Sequence, residues 1–549
     1  MHSGLGSNFY SLSTRALKIA KQRTLFAVSV FFILFCLLIC RLAQIMIFDV
    51  HGKGNSWGQN TPTFVSRADI VDRNGAIVAT SLPTVSLYAC PHEIINLKES
   101  VEKIGNVFRE INKNELMKRL SSSKKFIWIK RHLSPSQEQS VLNQGIPGMH
   151  FLRTERRVYP DKNLLAHVVG GTDIDNVGIS GIEKVFDQSL RESTNPIALS
   201  VDTKVQHAVR DELQKGIAEF SALGGAAIVM EIATGEIRAL VSLPDFDPNK
   251  NSDPQAKERF NLVTSSAIEP GSSAKIFNTA MALEYGAVTP FTKFDARFPL
   301  KVGKYTIHDF RGKGMLLSVE EIMKYSSNIG SAKIAMKVGP TAQKKFFKRI
   351  GLLDMVSCEL CETQRPLYPS PWSELNSITI AFGHGIAFSP LHLITVASGI
   401  LNNGILNAPT LLKRQAIPGR KILSAKTSNQ MKALMRINVL EGTNRLAEVA
   451  GYMVGGKSGT AEKQKGGRYL KNVNYNGFMG AFPMTNPKYA VYVLLDDPKA
   501  TSKTHGYRAS GWNATPTAGN IIRRIGPILG VTASNGHEPD WHDLLRNMK

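Results

Sequence analysis

At 549 residues the chain is longer than one hydrophobic core usually organises, so at least two folded domains are expected. Hydrophobic residues at 43% and charged residues at 20% form an ordinary globular composition, which excludes wholesale disorder. Lys and Arg outnumber Asp and Glu by 67 to 44, a net charge of +23, but no zinc finger, RNA-binding aromatic signature or basic zipper accompanies it, so nucleic acid is set aside and the excess suits a solvated surface, anionic lipid or an acidic polymer.

The first element is apolar. Thr24 to Cys40 carries no charge, Arg41 interrupts the run, and Leu42 to Phe48 resumes it. That length spans a hydrocarbon core of ~30 Å, with Arg41 reaching toward the interface. Arg15, Lys18, Lys21 and Arg23 precede it, and the first acidic residue is Asp49. The positive-inside rule then places residues 1–23 in the cytoplasm and the chain beyond residue 48 outside. Cys40-Arg41-Leu42-Ala43-Gln44 offers no small-x-small cleavage pattern, so residues 24–48 are expected to stay as an anchor that crosses once.

Residues 49–65 are polar and Gly-rich and read as a linker. The text then mixes strand and helix, with Asp72-Arg73-Asn74-Gly75 as a turn between apolar runs. A periodic helix opens at Ser200-Val201-Asp202 and runs through Gln206, Val209 and Leu213. A hairpin follows, Ala226–Ile232 and Ile237–Leu243 around Ala233-Thr234-Gly235-Glu236. From there to about residue 530 long blocks of helix and strand predict one large α+β domain.

Three motifs carry chemistry. In Glu269-Pro270-Gly271-Ser272-Ser273-Ala274-Lys275 a Pro-Gly turn precedes an amphipathic helix through Ile276, Phe277, Ala280, Met281 and Leu283, which puts Ser272 at its N-terminus and Lys275 one turn on. A serine needs a base, and a desolvated lysine can be neutral enough to serve. Ser100…Lys103 and Ser121…Lys124 share the spacing but lack the turn, and read as solvated surface. Ser326-Ser327-Asn328 falls between a helix opened by the capping box Ser318-x-x-Glu321 and another near Gly330. Its side chains either cap their own backbone or point into a cleft.

Gly455-Gly456-Lys457-Ser458-Gly459-Thr460-Ala461 is the third. With Gly451 it matches a phosphate-binding loop, but polar residues precede it and a Gly-rich stretch follows where that loop needs a buried strand and a helix. The alternative is an exposed edge strand whose glycines admit a ligand backbone, with Lys457 as a fixed charge. Of five cysteines, Cys36 and Cys40 sit in the anchor, Cys90 is isolated, and Cys358-x-x-Cys361 lacks the further ligands zinc requires; no catalytic role follows, and a disulfide is left open.

Taken in order, Ser-x-x-Lys, Ser-x-Asn and Lys-Ser-Gly make a sequence that resembles the serine penicillin-recognising acyltransferases. Arg67-Ala68-Asp69 to Gly75, Arg157-Val158-Tyr159-Pro160, Ala166-His167 and Gly178-x-x-Gly181-Ile182-Glu183 look like the pedestal of class B penicillin-binding proteins. Gly383-His384-Gly385, Ser389-Pro390-Leu391 and Glu441-Gly442-Thr443 match within the catalytic domain. The form Ser-Ser-Asn-Ile-Gly looks like the division-type transpeptidase; elongation-type relatives more often carry Asp in the third place. Two positions depart from the family: Ser458 stands for the commoner Thr, and His384 stands where Tyr is frequent and reads as a packed histidine.

The resemblance implies a cytoplasmic tail (1–23), anchor (24–48), linker (49–65), pedestal or dimerisation module (66–198), a β-lactamase-like transpeptidase domain with an antiparallel sheet flanked by helices (199–535) and a C-terminal tail (536–549). It implies cross-linking of peptidoglycan stem peptides at the division septum, from the inner membrane with the catalytic domain in the periplasm, and acylation by β-lactams. Ser272 would be nucleophile, Lys275 base, Ser326 proton relay, Asn328 a contact for the substrate amide and Lys457 the carboxylate anchor. Ser458 and Thr460 would bind substrate, with the Thr460 N–H in the oxyanion hole. No metal or organic cofactor is implied, and the partners would be a glycan-polymerising membrane protein and other division proteins. An elongation-type transpeptidase, an anchored β-lactamase or a penicillin sensor are the alternatives.

Overall fold

A computed structural model of the protein describes every residue except 1–6, 49–65, 251, 252, 254, 255, 415, 416, 535, 537 and 549. Two units separate, residues 1–64 and 65–549. In the first, one unbroken helix runs from Ser7 to Phe48, so helix begins well inside the segment read as a tail. Its apolar stretch Lys21–Arg41 is 21 residues, about 31 Å at 1.5 Å per residue, and Leu25, Phe31 and Phe35 on it are exposed. The helix is long and apolar enough to anchor the chain by a single pass. The stretch read as a linker lies outside the described residues.

In the second unit, the expected turn joins Ile70–Val71 to the strand Ile77–Ala89, with Asp72 Oδ1 accepting from the N–H groups of Asn74 and Ala76. Ile77–Ala89 pairs antiparallel with both Ile127–Leu133 and Met149–Val158. Helices Leu97–Val107, Lys113–Leu120 and Pro135–Leu142 cover this head, burying Leu87, Ile104, Phe108 and Leu116.

Asp202 caps the helix Thr203–Glu219, its carboxylate accepting from Lys204 N and Val205 N. The hairpin follows as Gly224–Glu231 and Ile237–Leu243. These form one edge of a five-stranded antiparallel sheet that continues through Tyr489–Asp496 and Arg468–Phe482 to Gly455–Lys465 at the other edge. Both faces are covered. Val229, Val241 and Val491 pack with the helices Thr203–Glu219 and Ala514–Ile528, while the alternate residues Ile228, Met230 and Leu494 join the core of the helices Lys275–Glu284, Pro390–Leu401 and Ala425–Glu441. This period-2 division explains why the hairpin reads as near-continuous apolar sequence.

Residues 66–198 and the sheet domain share that second core, since Ile70, Val168, Ile182 and Leu190 belong to it. The segment read as a C-terminal tail also packs. Trp541 and Leu545 of the helix Trp541–Asn547 are buried, and Glu538 accepts from Arg436. Two apolar side chains a helical turn apart are too short a pattern to show in the sequence.

Candidate active site

Backbone packing shapes the turn that carries Ser272. Gly271 has φ +51°, and a Cβ there would lie 2.4 Å from the Thr460 carbonyl oxygen. Gly383, at φ +92°, leaves room for the Gly271 carbonyl only because it too has no side chain, and its own carbonyl accepts from Gly271 N at 3.3 Å. Residues Gly271–Ala274 form a 3-10 turn that runs into the helix Lys275–Glu284. That helix is not amphipathic as expected. Every residue from Lys275 to Leu283 is buried, because the helices Asn328–Val338, Ala425–Glu441 and Pro390–Leu401 close round it.

Lys275 is 0% exposed. Its Nζ lies 2.8 Å from Ser272 Oγ, 2.8 Å from Asn328 Oδ1 and 3.5 Å from Ser326 Oγ. Burial, reinforced by the charge of Lys457 and only partly opposed by Asp309, holds this amine well below the ordinary lysine range. A neutral amine can accept a proton from the serine at that distance.

Ser326 ends the helix Val319–Tyr325 in the left-handed region, at φ +60°, after the expected capping box. This reversal turns its hydroxyl toward Lys275. Ser327 caps backbone, accepting from Gly330 N at 2.9 Å, so both readings of the triplet hold, for different residues. Asn328 begins the next helix, two residues before the expected Gly330. Its Nδ2 donates to His308 O at 3.2 Å, which leaves Oδ1 for Lys275.

Asp309 escaped the sequence reading. Its carboxylate accepts from Ser327 Oγ at 2.7 Å and from the N–H groups of Asn328 and Ile329 at 2.5 and 2.9 Å. An anion at this helix N-terminus satisfies donors that would otherwise be left over and fixes the triplet. It arrives from a loop of no local pattern.

Gly455–Lys465 is an edge strand, which excludes the helix a phosphate loop needs. It is not the exposed edge expected. Gly455 to Ser458 are buried, with Lys457 at 1% exposure. The helix Ala425–Glu441 covers them, Asn438 Nδ2 donating to Gly456 O at 2.9 Å. The Gly459 Cα faces the Ser272 turn rather than a ligand: a Cβ would lie 2.1 Å from Pro270 O and 2.6 Å from Ser273 Oγ. Lys457 Nζ donates to Ser458 O at 3.1 Å, and Thr460 Oγ1 accepts from Ser510 N at 3.0 Å. Burial lowers the Lys457 pKa to about 7.

Both motif lysines are therefore held below the ordinary lysine range, Lys275 by burial and the charge of Lys457, and Lys457 by burial. Beside the Ser272 turn lies a cleft of about 400 Å³ lined by Ile268, Glu269, Tyr368, Gly385, Lys463 and Tyr475. Glu269 Oε1 accepts from Gly385 N, Gln464 Nε2 and Tyr469 Oη at 2.8, 2.9 and 3.0 Å. His384 is packed, edge-on to Phe382 and Tyr469.

The other sequence candidates separate. Ser100 is buried rather than solvated and donates to Asn96 O, within the core of the head, while Ser121 is exposed and donates to Met117 O. All five cysteines are free thiols; Cys358 and Cys361 form no disulfide.

A half-buried serine on a buried lysine, facing a Ser-x-Asn turn and a Lys-Ser-Gly strand on an antiparallel sheet covered on both faces, defines a serine acyltransferase of the penicillin-recognising class. Residues 225–523 match the model of the penicillin-binding protein transpeptidase domain, and residues 62–216 that of the penicillin-binding protein dimerisation domain. The chain is similar to the probable peptidoglycan D,D-transpeptidase FtsI of Caulobacter vibrioides, at 35% identity over 88% of this chain and 85% of that protein. It is 31% identical to the probable peptidoglycan D,D-transpeptidase PenA of Neisseria gonorrhoeae over 85% of both chains, and 28% identical to the peptidoglycan D,D-transpeptidase FtsI of Escherichia coli over 86% of this chain and 84% of that one. The fold is shared with penicillin-binding protein 3 of Mycobacterium tuberculosis complexed with aztreonam, at TM-score 0.68 and 22% identity over 85% of this chain and 97% of that one. The chain belongs to the class B penicillin-binding proteins, with the dimerisation and transpeptidase domains of that family.

Proposed function

We propose that this protein cross-links peptidoglycan as a serine D,D-transpeptidase of the division type, with the residues of the three motifs as its machinery. The observation that carries the assignment is the fully buried Lys275 amine, 2.8 Å from both Ser272 Oγ and Asn328 Oδ1. Ser272 attacks the penultimate carbonyl of a stem peptide ending in D-Ala-D-Ala, and Lys275 takes the hydroxyl proton. The N–H groups of Ser272 and Thr460 hold the oxyanion. As the tetrahedral centre collapses, the C–N bond breaks and Ser326 relays a proton to the departing D-Ala. Asn328 holds the peptide amide, and Lys457 with Ser458 and Thr460 holds the terminal carboxylate. The amine of a second stem peptide then attacks the acyl-enzyme and frees Ser272. A β-lactam acylates the same serine.

The glycan strand itself would be polymerised by a membrane partner, at the septum with other division proteins, and the transpeptidase domain is taken to begin near residue 199. Topology supports this placement: with Arg15, Lys18, Lys21 and Arg23 before the apolar helix and Asp49 after it, the N-terminus is cytoplasmic and the rest periplasmic. A reporter active only outside the cytoplasm, fused at residue 60, should be active. Activity of a cytoplasmic reporter at that position instead would overturn the localisation.

Lys457 provides the test of the site. A charge-assisted contact to the substrate carboxylate is worth ~1.5–3 kcal/mol, so Lys457→Ala should slow acylation by labelled penicillin about ten- to a hundredfold without abolishing it. Lys457→Arg should recover part of the loss, since the charge returns without the compact ammonium. Saturable ATP binding that depends on Lys457, with acylation unchanged, would restore the phosphate-loop reading.

A further inference from the structure

The head of residues 77–158 holds a cluster that the acyl-transfer site does not use. Cys90 follows the strand Ile77–Ala89 directly and caps a single 3-10 turn, Pro91–Glu93, with Glu93 N donating to Cys90 O at 2.9 Å. Cys90 N in turn donates to Gly148 O at 2.8 Å, which ties the turn to the start of the paired strand Met149–Val158. Gly148 has φ +78°, and a Cβ there would lie 3.0 Å from the Glu93 carbonyl carbon and from Ile94. Only glycine lets the two segments come this close.

Register places His150 opposite Tyr88, and their rings stack with centroids 5.3 Å apart. The imidazole is thereby set against the turn, its Nε2 2.5 Å from Glu93 Oε2. One ligand atom each from Cys90, Glu93 and His150 lies within 4.8 Å of the other two. His92 Nε2 stands 3.6 Å from the second carboxylate oxygen of Glu93.

We propose that Cys90, Glu93 and His150 form a binding site for one zinc ion, with water in the fourth position. The donor set decides the metal: one sulfur, one imidazole nitrogen and a carboxylate suit a borderline-soft ion and disfavour calcium or magnesium, which take oxygen. Tetrahedral ligation at ordinary Zn–N and Zn–S lengths sets ligand atoms about 3.3–3.8 Å apart, within reach of small side-chain rotations from the observed spacing. The ion takes the place of the hydrogen between His150 Nε2 and Glu93, which moves to Nδ1 of the imidazole by way of solvent, and the thiol releases its proton to solvent on binding. Bound there, zinc clips the end of one strand to the start of its partner, closing the long excursion between them through three helices and a third strand.

The test uses the full-length protein in detergent, stripped with a chelator and titrated separately with zinc chloride and cobalt chloride. The wild type should bind one zinc per chain, melt at higher temperature with zinc, and give with cobalt a thiolate-to-metal charge-transfer band in the near ultraviolet. Cys90→Ser and His150→Gln should each erase that band and weaken zinc by at least the ~10–100-fold that losing an outer partner of a metal site costs. A Cys358→Ser, Cys361→Ser double variant should change neither. Penicillin labelling, which none of these positions touches, reports that each variant is folded. A wild-type chain with no cobalt–thiolate band or no zinc-dependent melting shift overturns the proposal, as does a band that survives Cys90→Ser or depends on Cys358 and Cys361. If Cys90→Ser does not fold, His150→Gln and the wild-type cobalt spectrum decide by the same criteria.

Discussion

Ser272→Ala should abolish covalent labelling by a fluorescent penicillin while the fold survives, and Lys275→Ala should slow acylation by ~10²–10⁴-fold, the usual worth of a positioned general base. The serine is the atom that bonds to the acyl group, so nothing substitutes for it. Ser273 is buried with its backbone N–H on Pro270 O, and Ser326 ends a different helix, Val319–Tyr325. Lys275 acts only through its neutral form, which leaves a signature in pH. Acylation should rise with pH as Lys275 sheds its proton, at a pH well below the ordinary lysine range, and fall again as Lys457 sheds its own from a pKa of about 7 in the free enzyme. A carboxylate ligand favours the charged form of Lys457 and moves the falling limb to higher pH. In Lys457→Ala the positive neighbour is gone, so Lys275 should hold its proton to higher pH: the rising limb shifts up and the falling limb disappears. An adduct mapped by mass spectrometry to Ser100, Ser121 or Ser326, or a rising limb unmoved in Lys457→Ala, would sink these assignments.

Glu183→Ala should destabilise the chain by ~3–5 kcal/mol, the cost of leaving buried charge without its partner. Glu183 is 0% exposed. Its Oε2 accepts from Arg67 Nε at 2.7 Å, and its Oε1 from Arg157 Nε at 2.6 Å and Tyr159 Oη at 3.3 Å. Arg67 also donates to Asp187 Oδ1 at 2.7 Å and to the Glu183 carbonyl at 2.8 Å, and Arg157 donates to the Arg67 carbonyl at 3.2 Å. Removing the carboxylate strands two guanidiniums, of which Arg67 keeps Asp187 and Arg157 keeps no carboxylate among these contacts. Replacing all three, as Arg67→Met, Arg157→Met and Glu183→Leu, should cost far less than the single change, because no charge is then left uncompensated. Denaturant unfolding followed by penicillin labelling of the surviving native fraction measures both. A single-variant loss of ~1 kcal/mol or less, the range of an exposed pair, would show that water reaches the cluster.

Local patterns in the sequence reached far. The cap at Asp202, the box from Ser318 to Glu321, the turn at Asp72 and the hairpin about Gly235 each depend on residues within a few positions of one another, and each stands in the structure as read. Arg67, Arg157 and Glu183 were legible as family marks, though nothing in their spacing shows that they meet. The limits have the same origin. Asp309 fixes Asn328 from a loop 19 residues away, and Cys90, which reads as isolated, meets His150 only because two strands pair in one register.

The sequence by itself determined which residues are available: a serine one helical turn from a lysine, a Ser-x-Asn turn, a Lys-Ser-Gly strand, and an apolar helix ahead of them all. Tertiary structure decided what those residues are. Lys275 and Lys457 are the same side chain, and burial pulls both below the ordinary lysine range, Lys275 under the added charge of Lys457, because ionisation is set by the solvent each amine loses and the charges it faces. Neither depth nor charge can be read from neighbours along the chain. The helix that covers Lys457 and the turn that Gly459 admits come from distant segments, and desolvation exists only once they have packed.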